Sequence, residues 1–192
     1  MLEALAAMIL SGSLACTGGD WTQIYDPHFR RAALAFWPPE RARYWCVLKA
    51  QGAAESGLDP GAVSRAGAQG IAQFMPGTWA ETMRRRGWTG TPWDAPLAIR
   101  AQAAYMQRLA LVWSAPRPEP ERVELALASY NAGPGNIVKA QRRCHGARSW
   151  SGIAPCLGAV TGRHARETRT YLRRIAAYWQ TLTGSPWASS VR

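Results

Sequence analysis

Residues 53–79, AAESGLDPGAVSRAGAQGIAQFMPGTW, open on the end of an apolar helical segment and pass into a glycine-rich loop. Upstream, Pro38-Pro39 introduces RARYWCVLKAQGAAESG (41–57), with Tyr44, Val47 and Leu48 at helical spacing. Proline at the start and Gly57 at the end are the usual punctuation of a helix. Downstream, LDPGAVSRAGAQG is turn-rich, Ile71 to Met75 reads as a short helical piece, and Pro76-Gly77-Thr78 restarts a helix to about Arg86. After the loop GWTGTPW, Asp94 is placed to cap a long helix from about Pro96 to Trp113. Pro116 to Pro120 links to an alanine-rich helix over Glu121–Tyr130, which Asn131-Ala132-Gly133-Pro134-Gly135 breaks. A short helix to about Arg143, a loop over 144–162 and a last helix from His164 to Leu182 complete the chain. Period-two alternation is absent, Val and Ile are few, and no internal repeat occurs. The expectation is an all-α fold with long loops.

The chain has 192 residues, which favours one domain, and 47% hydrophobic residues, enough for a packed core. Lys and Arg number 23 against 12 Asp and Glu, a net charge of +11. A coiled coil, a collagen-like chain and a low-complexity tail are excluded by composition. An anionic partner is implied: nucleic acid, membrane surface or acidic polymer. No base-reading motif is present, which argues against a specific nucleic-acid role.

The twelve acids are few enough to consider individually. Glu40 and Glu121 lie in first helical turns, Asp94 is a cap, and Asp26 and Asp59 precede proline in turns. Glu55 breaks the local rule. It ends an apolar helix, where the dipole opposes its charge by about 0.3–1 kcal/mol, and its neighbours Ala53, Ala54 and Leu58 offer it nothing. A partly buried carboxyl there stays protonated to higher pH than usual, as a general acid for glycoside cleavage must. Tyr130 and Asn131 place a phenol and an amide at another helix end, groups able to bind sugar hydroxyls and acetamides.

On three stretches the chain resembles the catalytic domain of soluble-type lytic transglycosylases, of goose-type-lysozyme-like fold. These are residues 53–79, LALASYNAGPGNI (125–137) and ETRTYLRRI (167–175), in the family's order and within about residues 35–180. The resemblance implies Glu55 as the single catalytic acid/base. It implies Ser64, Gln73, Met75, Tyr130, Asn131 and Tyr171 as substrate-binding residues, and Glu167, four residues before Tyr171, as a supporting acid. It further implies non-hydrolytic cleavage between N-acetylmuramic acid and N-acetylglucosamine, giving 1,6-anhydro ends, without metal or cofactor. Ile71-Ala72, Ser129 and Phe74 depart from the common family pattern. Competing expectations are a water-using muramidase, which needs a second acid from Asp59, Asp94 or Glu167, and a non-catalytic wall-binding module.

The remaining expectations concern the ends and the cysteines. Residues 1–34 read as a helical or extended segment packed on a catalytic domain over 35–183, with a tail over 184–192. The apolar run Leu5 to Leu10 is too short to span a bilayer, and no Lys or Arg precedes it as in a secretory leader. Ser13-Leu14-Ala15-Cys16 has a lipoprotein-like outline, with Ser13 where a larger aliphatic residue is usual. Cys144 and Cys156 bracket a loop that a disulfide would staple, and Cys16 with Cys46 would then tie down the N-terminal segment; four buried thiols are the alternative. No C-x-x-C pair and only three His argue against a zinc site. The partners expected are peptidoglycan glycan strands, and a phage particle or a secretion or conjugation machine. The expected location is the periplasm or cell envelope, with a virion or phage lysis enzyme as the alternative.

Overall fold

The computed structural model describes Cys16 and residues 23–187; most of the N-terminal segment, including Leu5 to Leu10, lies outside the described residues. Among the described residues ten α-helices follow in order: α1 Asp26–Phe36, α2 Pro39–Ala42, α3 Cys46–Ser56, α4 Pro76–Arg86, α5 Ala95–Val112, α6 Glu119–Ala132, α7 Pro134–Arg143, α8 Trp150–Ile153, α9 Gly158–Thr161 and α10 His164–Thr183, with a 3₁₀ turn at Ala154–Leu157. Among the described residues the β-structure consists of isolated bridges, Val63 with Gln69 and Gln69 with Phe74. The all-α expectation holds.

The described residues form two compact units, those up to Ala103 with Tyr178–Ser185, and Ala104–Ala177 with those from Pro186 on. Helix α1 runs across the 34/35 boundary, so that boundary is not a structural joint. The expected tail starts inside packed structure, because Trp187 is buried.

In the first unit, α1 contributes Phe29, Ala32 and Ala33 to a core that also holds Val47, Leu48, Ile71, Phe74 and Ile99. Polar groups caught in this core are paired, as burial demands. Trp37 donates its indole N–H to Ala103 O at 3.0 Å, and the Gln102 amide donates to Leu48 O at 3.1 Å and Gln51 Oε1 at 2.9 Å. Lys49 is only 1% exposed and meets the Asp26 carboxylate at 2.7 Å. Asp26 is therefore more than the turn residue its Asp-Pro context indicates. Its carboxylate offsets the cost of burying the Lys49 ammonium.

Two helical expectations need correction. The segment from Pro38 to Gly57 is not continuous. Between Arg41 and Leu48 the backbone bonds are of i→i+3 type, such as Tyr44 N–H to Arg41 O and Leu48 N–H to Trp45 O, and α3 starts only at Cys46. Residues 71–75 are turns, not a helix. Gly70 at φ 75° and Gln73 at φ 47° interrupt any right-handed run. Gln69 and Phe74 instead exchange backbone bonds at 2.9 and 3.0 Å, closing a tight loop.

In the second unit, α6 buries Val123, Leu125, Ala126, Leu127 and Ala128, and α7 buries Ile137 and Ala140. Ser129, a departure from the family pattern, has a local reason. Its hydroxyl accepts from the Trp113 indole N–H at 3.2 Å and donates to Leu125 O at 2.6 Å, so it satisfies a buried donor that alanine would strand.

The Cys144–Cys156 bridge is present, with a Cα separation of 5.8 Å. It staples the short helices and turns that replace the expected loop. Removing it by Cys144→Ser with Cys156→Ser frees a 12-residue separation. The expected cost is about 2–3 kcal/mol, read as a lower midpoint in chemical denaturation with a slope at least as steep as the parent's, since the unbridged denatured chain is less compact. The second expected bridge, Cys16 to Cys46, is absent. Both residues are buried free thiols. Their side chains meet through a hydrogen bond, and that bond, then burial, pushes the Cys46 thiol above its ordinary value.

Candidate active site

Glu55 occupies the next-to-last position of α3 and is half-buried. The helix ends there because Gly57 adopts φ 69° and Leu58 follows at φ 66°, two left-handed residues in succession. Gly57 N–H returns to Ala53 O at 3.0 Å and Leu58 N–H to Gly52 O at 3.4 Å, satisfying the last carbonyls. Leu58 pays the strain of its backbone by burying its side chain, 4% exposed, and its methyl lies 3.1 Å from where a Cβ on Gly52 would stand. The Ser56 hydroxyl donates to Ile71 O at 2.9 Å. The helix end that carries Glu55 is thereby fixed to the loop that carries Gln73.

That loop is tied internally by the residues expected to bind substrate. The Gln73 amide donates to Ala62 O at 3.1 Å and Gly70 O at 2.9 Å. The Ser64 hydroxyl accepts from Ala68 N–H at 3.0 Å, and Ser64 N–H donates to Ala68 O at 2.9 Å. Both side chains organise the loop through these bonds, which leaves the Gln73 carbonyl oxygen outside them. Met75 is 45% exposed at the N-terminal boundary of α4, and Val63 is 60% exposed. Phe74, which departs from the family pattern, is buried edge-on against Trp79 with centroids 5.3 Å apart. Glu55, Ser64, Gln73 and Met75 thus belong to one stitched substructure of the first unit.

Two of the acids that a water-using reaction would need, Asp59 and Asp94, each accept a backbone amide. Asp59 Oδ1 accepts from Gly61 N–H at 2.8 Å, and Asp94 Oδ1 accepts from Leu97 N–H at 3.1 Å, as its capping position predicts.

The second unit holds the other expected residues. Asn131 lies in the last turn of α6, and its Oδ1 accepts from the Thr168 hydroxyl at 2.8 Å. This fixes the amide plane and keeps the NH₂ as the group that donates. Tyr130 packs edge-on against Tyr105, centroids 5.3 Å apart. A cavity of about 380 Å³ is lined by Asn131, Asn136, Val160, His164, Glu167 and Thr168, among others. Tyr171 is 5% exposed on α10, whereas the Glu167 side chain is 68% exposed and sits 3.6 Å from His164 Nδ1. The two share a helix but not an environment.

Tyr105 and Thr168 escaped the sequence reading. Tyr105 looks like one more core position of the long helix, and Thr168 is hidden in an arginine-rich run. The one local signal was a threonine flanked by charges yet set on the buried face. Thr168→Val is expected to cost about 1 kcal/mol, or about 2–4 °C in melting temperature, while Thr168→Ser retains the hydroxyl and most of the stability. Thermal unfolding followed by circular dichroism checks both.

Comparison with known proteins follows the same residues. The Transglycosylase SLT domain family matches residues 45–151. A membrane-bound lytic murein transglycosylase F of Pasteurella multocida is 35% identical over 98 residues, covering 51% of this chain and 19% of its own. That of Alcanivorax borkumensis is 29% identical over 163 residues, covering 77% of this chain and 33% of its own. The chain therefore spans a third or less of the length of these relatives. The crystal structure of the 70 kDa soluble lytic transglycosylase of Escherichia coli shares the fold, with a TM-score of 0.65 at 22% identity over 86% of this chain and 25% of that one. With more than half of its length inside the family match and the helical fold in common, the chain belongs to the Transglycosylase SLT domain family and has the lysozyme-like all-α architecture of lytic transglycosylases.

Proposed function

We propose that the chain cleaves the bond between N-acetylmuramic acid and N-acetylglucosamine in peptidoglycan without water, leaving 1,6-anhydro-muramic ends. The observation that carries this reading is the setting of Glu55: a half-buried carboxyl at the C-terminal end of α3, held by the Gly57–Leu58 turn and the Ser56 bond to Ile71 O. The helix dipole opposes an anion at this end, which is the direction a general acid needs.

In the reaction, the Glu55 proton goes to the glycosidic oxygen as the bond to C1 of the muramic sugar breaks. The N-acetyl oxygen of the same sugar assists at C1, and Tyr130 and Asn131 are assigned to that acetamide by their match to the family pattern. Glu55, now a carboxylate, takes the proton of the C6 hydroxyl, and O6 closes on C1 while the acetamide leaves. One carboxyl is used twice, so the second carboxylate that flanks the bond in hydrolytic glycosidases is not required.

The names of the relatives, membrane-bound lytic murein transglycosylases, support peptidoglycan as substrate and the cell envelope as the place of action. Among the described residues no helix is long and apolar enough to cross a membrane. A role in local wall opening, for a secretion or conjugation machine or a phage, fits a chain with so basic a surface. Mass spectrometry of products released from purified wall is the test. Anhydro products are one water lighter than the reducing muropeptides of a hydrolase; reducing ends alone would refute the reading.

A further inference from the structure

Below the C-terminal half of α7 lies a second cavity, of about 490 Å³, lined by Asn136, Lys139, Arg142, Arg143, Ala159 and Val160. Three of these six residues are cations, and none is an acid. Beyond Glu124 the sequence holds one acid, Glu167. Asn136, Lys139 and Arg143 recur at helical spacing on α7, and Ala159 and Val160 of α9 form the facing wall. The Cys144–Cys156 bridge joins the end of α7 to the segment that leads into α9, which holds the two walls together. The cavity shares Asn136 and Val160 with the one at Asn131, so the two are neighbours within this unit. The shared Asn136 is itself anchored, its amide donating to Ala132 O at 2.8 Å.

Neutral sugars bind through hydroxyls and acetamides and have no use for three clustered cations. The planar guanidinium of arginine matches oxyanions, above all carboxylates and phosphates. From Asn136 to Arg143 the helix rises about 10 Å. An anion held there is therefore not on the ring bound at Asn131 but on a substituent of the same strand. We propose that this basic cavity binds the carboxylates of the peptide stems carried by the muramic sugars, so that the chain prefers stem-bearing over bare glycan. The proposal rests on the reading of peptidoglycan as substrate. It gives the +11 charge a specific use.

The test is binding by the full chain carrying Glu55→Gln, which removes turnover. Soluble glycan strands with intact stems are compared with strands stripped of stems by an amidase, their newly exposed lactyl carboxylates capped as methylamides. Stem-bearing strands are expected to bind about tenfold more tightly. Adding Lys139→Gln, Arg142→Gln and Arg143→Gln together should erase that preference, as three exposed charge contacts of a few tenths to one kcal/mol would. Binding of stripped strands should stay within about twofold, since the substituted side chains reach only the stem. Equal weakening on both strands, or no preference in the parent, overturns the proposal. So does a dependence on the three cations that appears only on strands bearing phosphate polymers. Binding of the free stem peptide is measured in parallel. If neither strand binds but the peptide does, and needs the three cations, the glycan reading fails and the stem site stands. If the peptide fails too, both fall. Circular dichroism melting of the triple variant guards against loss of fold.

Discussion

Glu55→Gln is expected to reduce release of muropeptides from purified wall by about 10²–10⁴-fold, the range lost when a general acid is removed. The amide has the shape of the carboxyl but cannot give a proton to the glycosidic oxygen or take one from the C6 hydroxyl. Both half-reactions use the same group, so the loss should fall on kcat, with KM changed little. The fold should persist. Glu55 is half-buried and ends its helix, so an isosteric change there disturbs no packing of α3, whose buried residues run from Cys46 to Ala54. A melting temperature within about 3 °C of the parent is expected, corresponding to a change of 1 kcal/mol or less. Retained cleavage in this variant would remove Glu55 from the mechanism altogether.

Gly70→Ala should have the opposite signature, a loss of stability first and of activity through it. Gly70 has φ 75°, and a Cβ built there would stand 2.0 Å from the carbonyl oxygen of Pro92. That neighbour is backbone, not the flexible tip of a side chain, so one of the two loops must move. Gly70 O also accepts the Gln73 amide, and Gly70 N–H donates to Ala62 O at 2.9 Å, so movement breaks the loop that fixes the α3 end. Steric displacement plus a left-handed alanine gives an expected loss of about 3 kcal/mol. Denaturant unfolding should show a lower midpoint, and wall cleavage should drop while the Glu55 side chain is intact. An unchanged midpoint would show that the loops yield at little cost. Together the two variants separate a chemical role from a scaffolding one: the first keeps the fold and loses turnover, the second loses both.

The helices were legible because they carry their own signals. Proline and glycine punctuation bounded α4, Asp94 capped the long helix, and the alanine-rich pattern of α6 reflects a helix buried among others. Glu55 was legible for a related reason. It violated a local rule, and no nearby residue explained the violation. Where the sequence misled, nonlocal contacts had overruled local preference. Residues 71–75 have helical spacing, but the Gln69–Phe74 backbone pair and the Ser56 bond to Ile71 O hold them as turns. Asp26 looked like a turn residue because Lys49, the charge that needs it, lies on a different helix. Cys16 and Cys46 invited a bridge that their hydrogen-bonded thiols do not make.

The sequence by itself determined the family, the helical class and the one carboxyl out of place. Periodicity, capping and motif order are properties of neighbouring residues, and a chain displays them before it folds. Only the tertiary structure decided how the site residues are held. Ser64 and Gln73 spend hydrogen bonds on their own loop, Thr168 sets the Asn131 amide, and Lys139, Arg142 and Arg143 share one cavity with α9. Each of these joins residues that the helix period or the loop path brings together, and an amide without its partner has no fixed direction. The orientation of polar groups is set by the partners that burial forces on them, and those partners exist only in the folded chain.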